Sequence, residues 1–262
     1  MESITKTPSH THHLLPHWTI DTSLMKIAFQ LNNLGVSFLN VGAFDKAQEA
    51  FKAAVDLMKC YTSDKNDREV QKASRKIIDK WRLHCEAETP KILELPSMPE
   101  ESCFVAKVAF EIPEAITLSV ASKGLADAWE SAILLHNLAL SLHCTGLQSG
   151  ALTPLSKALK VYELSKKLVT ACLDSRIHTE QTPWETEASH ALKTQLVMSL
   201  LNNMGQIHHQ MQEYELARHY FDGLSSVLST RISPFLQAHC PDINTYYLNA
   251  MLLQQPKVAP AA

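Results

Sequence analysis

From Leu24 the chain places Leu24, Ile27, Ala28, Leu31, Leu34, Gly35 and Phe38 three and four residues apart. That spacing puts them on one face of an α-helix. Asp21 or Thr22 can cap its first turn. Gly42 interrupts the pattern, and it restarts with Ala47, Ala50, Phe51, Ala54 and Leu57 on a second helix, so the pair reads as a helical hairpin. The same pattern returns later in the chain. Leu31, Leu34, Gly35, Phe38, Ala47, Phe51 and Ala54 correspond, at identical spacing, to Leu201, Met204, Gly205, His208, Ala217, Phe221 and Leu224. A middle copy has Leu135, Leu138, Ala139 and Leu142, then Ala158, Tyr162 and Ser165. Gly35 to Ala47 and Gly205 to Ala217 each span 12 residues, whereas Ala139 to Ala158 spans 19. The sequence therefore predicts seven extra residues between the two helices of that copy, around residues 148–154.

These copies resemble the tetratricopeptide repeat. There a small residue after a large one in the first helix, here Gly35, Ala139 and Gly205, lets the second helix approach closely. A small residue on the second helix, here Ala47, Ala158 and Ala217, completes the approach. The resemblance implies that Phe51, Tyr162 and Phe221 pack against the next hairpin. It departs from the family where Leu stands for the usual Trp, where His208 replaces an apolar residue, and where no proline closes the second helices.

The fold expected is mostly all-α: an array of helical hairpins with a short β element in an insertion. Residues 1–20, rich in Ser, Thr and His with Pro8 and Pro16, read as a tail. Residues 21–255 read as a single helical domain, with repeats at about 25–60, 126–172 and 184–230, an insertion at 61–125, and a second tail at 256–262. Within the insertion, residues 67–88 suit a helix with Val70, Ala73, Ile77, Ile78 and Trp81 on its apolar side. Pro90, Pro96, Pro99 and Pro113 then bar a long helix. Between them Phe104, Ala106, Val108, Phe110 and Ile112 alternate with a mixed face, which predicts a strand. A strand needs a partner. Residues 116–120 offer one and residues 245–253, rich in Tyr and Leu, offer the preferred one. Thr182, Pro183, Trp184 and Glu185 supply a capping signature for the third hairpin, whose first helix should reach about Met211.

Composition narrows the function. Of 262 residues, 45% are apolar and only 7 are glycine, which suits helices and disfavours phosphate-cradling loops. A net charge of −3 and a pI near 6.5 give no basic excess for nucleic acid. The run Lys65, Arg68, Lys72, Arg75, Lys76, Lys80 and Arg82 is interspersed with acids and reads as a solvated helix face. Cys60, Cys85, Cys103, Cys144, Cys172 and Cys240 form no CxxC and read as thiols of a reducing compartment. With no apolar h-region near the amino terminus and no stretch of roughly 18 apolar residues, the expected location is the cytoplasm, without membrane contact.

Candidate chemistry centres on asparagine. The segments LNNLG, HNLA and NNMG put Asn33, Asn137 and Asn203 at one repeat position, one residue before the core-facing Leu34, Leu138 and Met204. A step of about 100° turns that position toward the face that lines the concave groove in tetratricopeptide repeats. A side-chain amide can pair with the N–H and C=O of an extended peptide together. Families with related repeats, such as kinesin light chains, hold peptide backbone on asparagine ladders, and the resemblance implies the same here. The alternative is that these amides bond neighbouring helices and set the stacking. Groove neighbours at helical spacing are Phe29, Val36 and Asn40, then Ile133, Leu140 and Cys144, then Ser199, Gln206 and Gln210. The expected partner is a protein or peptide. The Lys/Arg clamp of chaperone-docking repeats is missing.

No cofactor, metal or catalytic site is expected. His10, His12, His13 and His17 lack acidic or cysteine neighbours at ligand spacing. His208 and His209 are adjacent and face different ways, and His208 reads as a hydrogen-bonded core residue. His84-Cys85 and His143-Cys144 are sequence neighbours that cannot face each other on a helix. A second functional reading makes residues 100–120 a self-association surface forming a homodimer, because an unpaired strand can add to another sheet.

Overall fold

The computed structural model describes residues 18–63, 67–87, 105–112, 125–176, 187–240 and 242–252. Among them are nine helices: α1 (Trp18–Asn40), α2 (Phe44–Thr62), α3 (Arg68–Ala87), α4 (Leu125–Ser149), α5 (Leu152–Arg176), α6 (Glu187–Gln210), α7 (Tyr214–Thr230), α8 (Pro234–His239) and α9 (Ile243–Leu252). Helices α1 and α2, α4 and α5, and α6 and α7 form three antiparallel hairpins. Helix α2 packs on α4, and α5 packs on α6. The hairpins thus stack in sequence order although residues 63–124 lie between the first and the second. Helix α3 rests on α2, with Trp81 buried.

Each hairpin turns in the same way. The Gly42 N–H reaches the Leu39 carbonyl at 3.0 Å and the Ala43 N–H reaches the Phe38 carbonyl at 2.9 Å, with Gly42 at φ 73°. This is the Schellman closure of a helix end, which needs one left-handed residue. Gly150 and Gln212 take that place at the other two turns, with φ of 64° and 63°. The seven extra residues of the middle copy are therefore not a longer loop, as the sequence suggested. Asn33 to Gly42 spans nine positions and Asn137 to Gly150 spans 13, so four residues lengthen α4. The other three lengthen α5, giving each helix about one more turn. Gly146 makes the added turn compact, since a Cβ there would lie 2.6 Å from Leu155 Cδ2.

Other expectations change in the same physical terms. Helix α1 already runs at Trp18, so Asp21 and Thr22 lie inside it and do not cap it. No proline or glycine between Trp18 and Leu24 stops the helix from extending back. No strand occurs among the described residues. Residues 105–112 are extended but unpaired in any ladder. Residues 245–252, the preferred strand partner, belong to α9. Its buried positions Tyr246, Asn249 and Ala250 follow helical spacing, so the apolar residues there answer to a period of 3.6 and not 2. Residues 116–120 and the capping signature at 182–185 lie outside the described residues.

The glycines of the repeats are buried under aromatic rings. A Cβ on Gly35 would lie 2.5 Å from Phe51 Cε1, and one on Gly205 would lie 2.7 Å from Phe221 Cζ. Phe51 and Phe221 therefore cover the glycine of their own hairpin. The close approach suggests a contrast. Gly35→Ala gains helix propensity but must displace a fully buried ring, and should lower stability by about 1–3 kcal/mol. Gly223→Ala, whose new methyl meets only Leu201 at 3.5 Å, should raise it by about 0.5–1 kcal/mol. Urea unfolding of the two variants distinguishes these signs.

Candidate functional site

The site is the inner face of α1, α4 and α6, and residues 105–112 of the same chain already lie in it. Those residues run from α6 past α4 to α1, against the order of the repeats. Asn203 accepts from the Ala106 N–H at 2.9 Å and donates to the Ala106 carbonyl at 3.0 Å. Asn137 accepts from the Phe110 N–H at 2.9 Å and donates to the Phe110 carbonyl at 2.8 Å. Asn33 accepts from the Ile112 N–H at 2.9 Å and donates to the Ile112 carbonyl at 3.0 Å. Each amide thus matches both polar groups of one extended residue, as a neighbouring strand would.

Further side chains complete the grip. Asn32 donates to the Phe110 carbonyl at 2.9 Å, and His136 Nε2 lies 3.4 Å from the Val108 carbonyl. The Asp242 carboxylate, just before α9, accepts from the backbone of Lys107 and Val108. The carboxy-terminal region is therefore tied to the insertion by a carboxylate, not by strand pairing. Burial pushes the Asp242 pKa up, and the two N–H donors partly restrain the shift. On the apolar side Val105, Phe110 and Ile112 join the same core as Phe29, Val36, Ile133, Leu140 and Cys144. The Phe110 ring meets His136 edge-on at 5.1 Å between centroids. Lys107 and Glu111 point to solvent.

The amides also bond one another. Asn137 donates to Asn32 Oδ1 at 2.8 Å, which links α4 to α1. Asn203 donates to the Tyr162 hydroxyl at 3.1 Å, which links α6 to α5. Asn202 donates to Asn203 and accepts from Asn249 of α9 at 2.6 Å. Ser199 is occupied with the Tyr246 hydroxyl at 2.6 Å. Of the remaining groove positions, Gln206 is buried, Gln210 is half-buried with an unpartnered Oε1, and Asn40 is exposed. Asn32, His136 and Asn202 hold one repeat position, just before the ladder residues. The doublets Asn32-Asn33, His136-Asn137 and Asn202-Asn203 carried that signal, but only their second members stood out. Nothing local marks Asp242, and Tyr162 stood out only as the repeat's aromatic; its hydroxyl reaches Asn203 through the packing of α5 on α6.

Among the described residues, no other cluster of reactive side chains assembles. Burial drives the His143 pKa down to about 3 and the Cys144 thiol up to about 12, so the pair forms no thiolate–imidazolium couple. His208 Nδ1 lies 2.6 Å from Glu213 and its ring stacks on Tyr220. Among the described residues no group of three His, Cys, Asp or Glu could hold a metal, and no helix is long and apolar enough to cross a membrane. The histidines at 10, 12, 13 and 17 and the side chains of Cys85 and Cys103 lie outside the described residues. Arg68, Lys72, Arg75 and Lys76 line an open cleft on α3 together with Asp79.

Residues 199–223 match the tetratricopeptide repeat family, and this match and the stacked helical hairpins support a protein of the tetratricopeptide-repeat type. The match is to the general repeat and does not single out kinesin light chains. Neither the curated proteins nor the solved structures contain a match.

Two predictions follow from the burial. Asn137→Ala orphans the Phe110 N–H and the Asn32 Oδ1 in the interior, and should cost about 2–4 kcal/mol of stability. Asn40→Ala, at an exposed site, should leave thermal unfolding within about 0.5 kcal/mol of the parent. The groove amides are thus structural as well as candidate contacts, and their loss cannot spare the melting curve.

A further prediction concerns pH. Burial lowers His136 to about 4 and His143 to about 3. The unfolded chain therefore binds more protons below about pH 6.5. Stability present at pH 7 should fall as pH drops from there toward 4, by at most about 1.4 kcal/mol per unit for each histidine. Asp242, raised by burial, acts with the opposite sign near the carboxylate range. His143→Phe should flatten the dependence of the melting temperature between pH 7 and 5.

Proposed function

We propose that this protein is an interaction scaffold whose groove receives an extended peptide of a partner protein. The observation that supports the reading is the pairing of Asn33, Asn137 and Asn203, each with both the N–H and the C=O of a single extended residue. Such a grip reads backbone and leaves selectivity to side-chain pockets. Phe29, Val36 and Leu140 supply the apolar wall, and Gln206, Gln210 and Asn40 the polar ends. Tetratricopeptide repeats are in general protein-interaction modules and typically non-catalytic. The cytoplasm is the location in keeping with the thiols at Cys60, Cys144 and Cys240.

The self-association reading fares less well on the geometry. Backbone groups of Ala106, Phe110 and Ile112 are bonded within the chain, so strand addition through them first requires that they leave the groove. A photocrosslinking amino acid at Asn40 or Gln210, at the groove ends, should yield adducts with bound proteins. The same group at Lys72 on α3 should not. Adducts confined to Lys72 would move the interaction surface to α3 and sink the groove reading.

A further inference from the structure

We propose that residues 105–112 are a built-in competitor for the groove, and that the partner peptide copies their pattern. That pattern is an extended backbone with a small residue, an aromatic four positions later, and a β-branched aliphatic two beyond it. The proposal rests on the groove reading above and adds to it the chemistry of the partner and the gate it must pass.

Three observations carry it. First, the segment is neither helix nor strand, and the backbone bonds described for it go to side chains of the repeats or to Asp242. A peptide in trans could make the same bonds to the amides, because they touch only main-chain groups. Second, the contacts that do read side chains are few. Val105, Ala106, Phe110 and Ile112 are buried, while the side chains of Lys107 and Glu111 are exposed. Third, the three amides bond both polar groups of residues 106, 110 and 112. A ligand must present residues at those same intervals to satisfy all three. A segment tethered in the same chain competes at an effective concentration on the order of millimolar, so a free peptide binds poorly until the tether is weakened.

The test uses the full chain and a fluorescent, end-capped peptide of residues 105–112, Val-Ala-Lys-Val-Ala-Phe-Glu-Ile. Phe110→Ala in the chain removes the resident anchor, and Asp242→Ala loosens the segment without touching the amides or the apolar anchors. Anisotropy should show the peptide binding both variants at least about tenfold more tightly than the parent chain. A peptide with Ala in place of the phenylalanine should not bind, and adding Asn203→Ala to the Asp242→Ala chain should remove binding. Circular dichroism reports whether each variant is folded, and if Phe110→Ala is not, the Asp242→Ala chain decides. Equal binding by parent and variants overturns the competitor while leaving a peptide groove. No binding by any folded chain overturns both the competitor and the groove reading. A variant that becomes a dimer by light scattering and excludes the peptide assigns the groove to a second copy and overturns the proposal.

Discussion

An extended stretch of backbone buried among helices has no neighbouring strand, so each N–H and C=O must find a side chain or stay unsatisfied at a cost of about 1–3 kcal/mol. That constraint organises this molecule. Residues 105–112 enter the inner face of three hairpins, and the amides of Asn33, Asn137 and Asn203 stand in for the missing strand. The arrangement requires those residues to recur at one place on three stacked helices. It also requires the helices to be spaced so that the amides meet residues 106, 110 and 112.

Close packing supplies the spacing. Phe51 lies on Gly35 and Phe221 on Gly205, so each hairpin brings its two helices to a distance that a methyl group would widen. The middle hairpin solves the problem with Ala139 and with Tyr162, whose hydroxyl accepts from Asn203 and whose ring sits beside His136 and His143. A core residue of α5 thereby also orients a ladder amide. Two buried, neutral imidazoles, His136 beside Phe110 and His143 beside Tyr162, make this region sensitive to acid.

Long insertions are tolerated when they leave the repeat stack intact. Here α2 meets α4 directly, as in contiguous repeats, while α3 lies on α2 and residues 105–112 return to the groove. The insertion is therefore both an outer layer and the occupant of the inner face. Asp242 and α9 close that face from the other end, with Asn249 bonded to Asn202 and Tyr246 to Ser199.

Periodicity and the repeated small residues made the hairpins legible, because a helix buries one face and a glycine under a ring must recur wherever the ring does. The recurrence of Asn33, Asn137 and Asn203 was legible for the same reason: three asparagines at one repeat position need a common cause. An alternation of period 2 predicted a strand at residues 104–112, but residues 105–112 pair in no ladder, and the pattern could not say what satisfies them instead. The answer lies in side chains up to 97 residues away in sequence, as with Ala106 and Asn203. Nor could the residues alone reveal that the middle copy's surplus lengthens two helices, or that residues 245–252 coil to bury Tyr246, Asn249 and Ala250. Local pattern sets what each segment prefers to bury. Which partner it buries against is decided by packing among distant segments, and only the folded chain contains that.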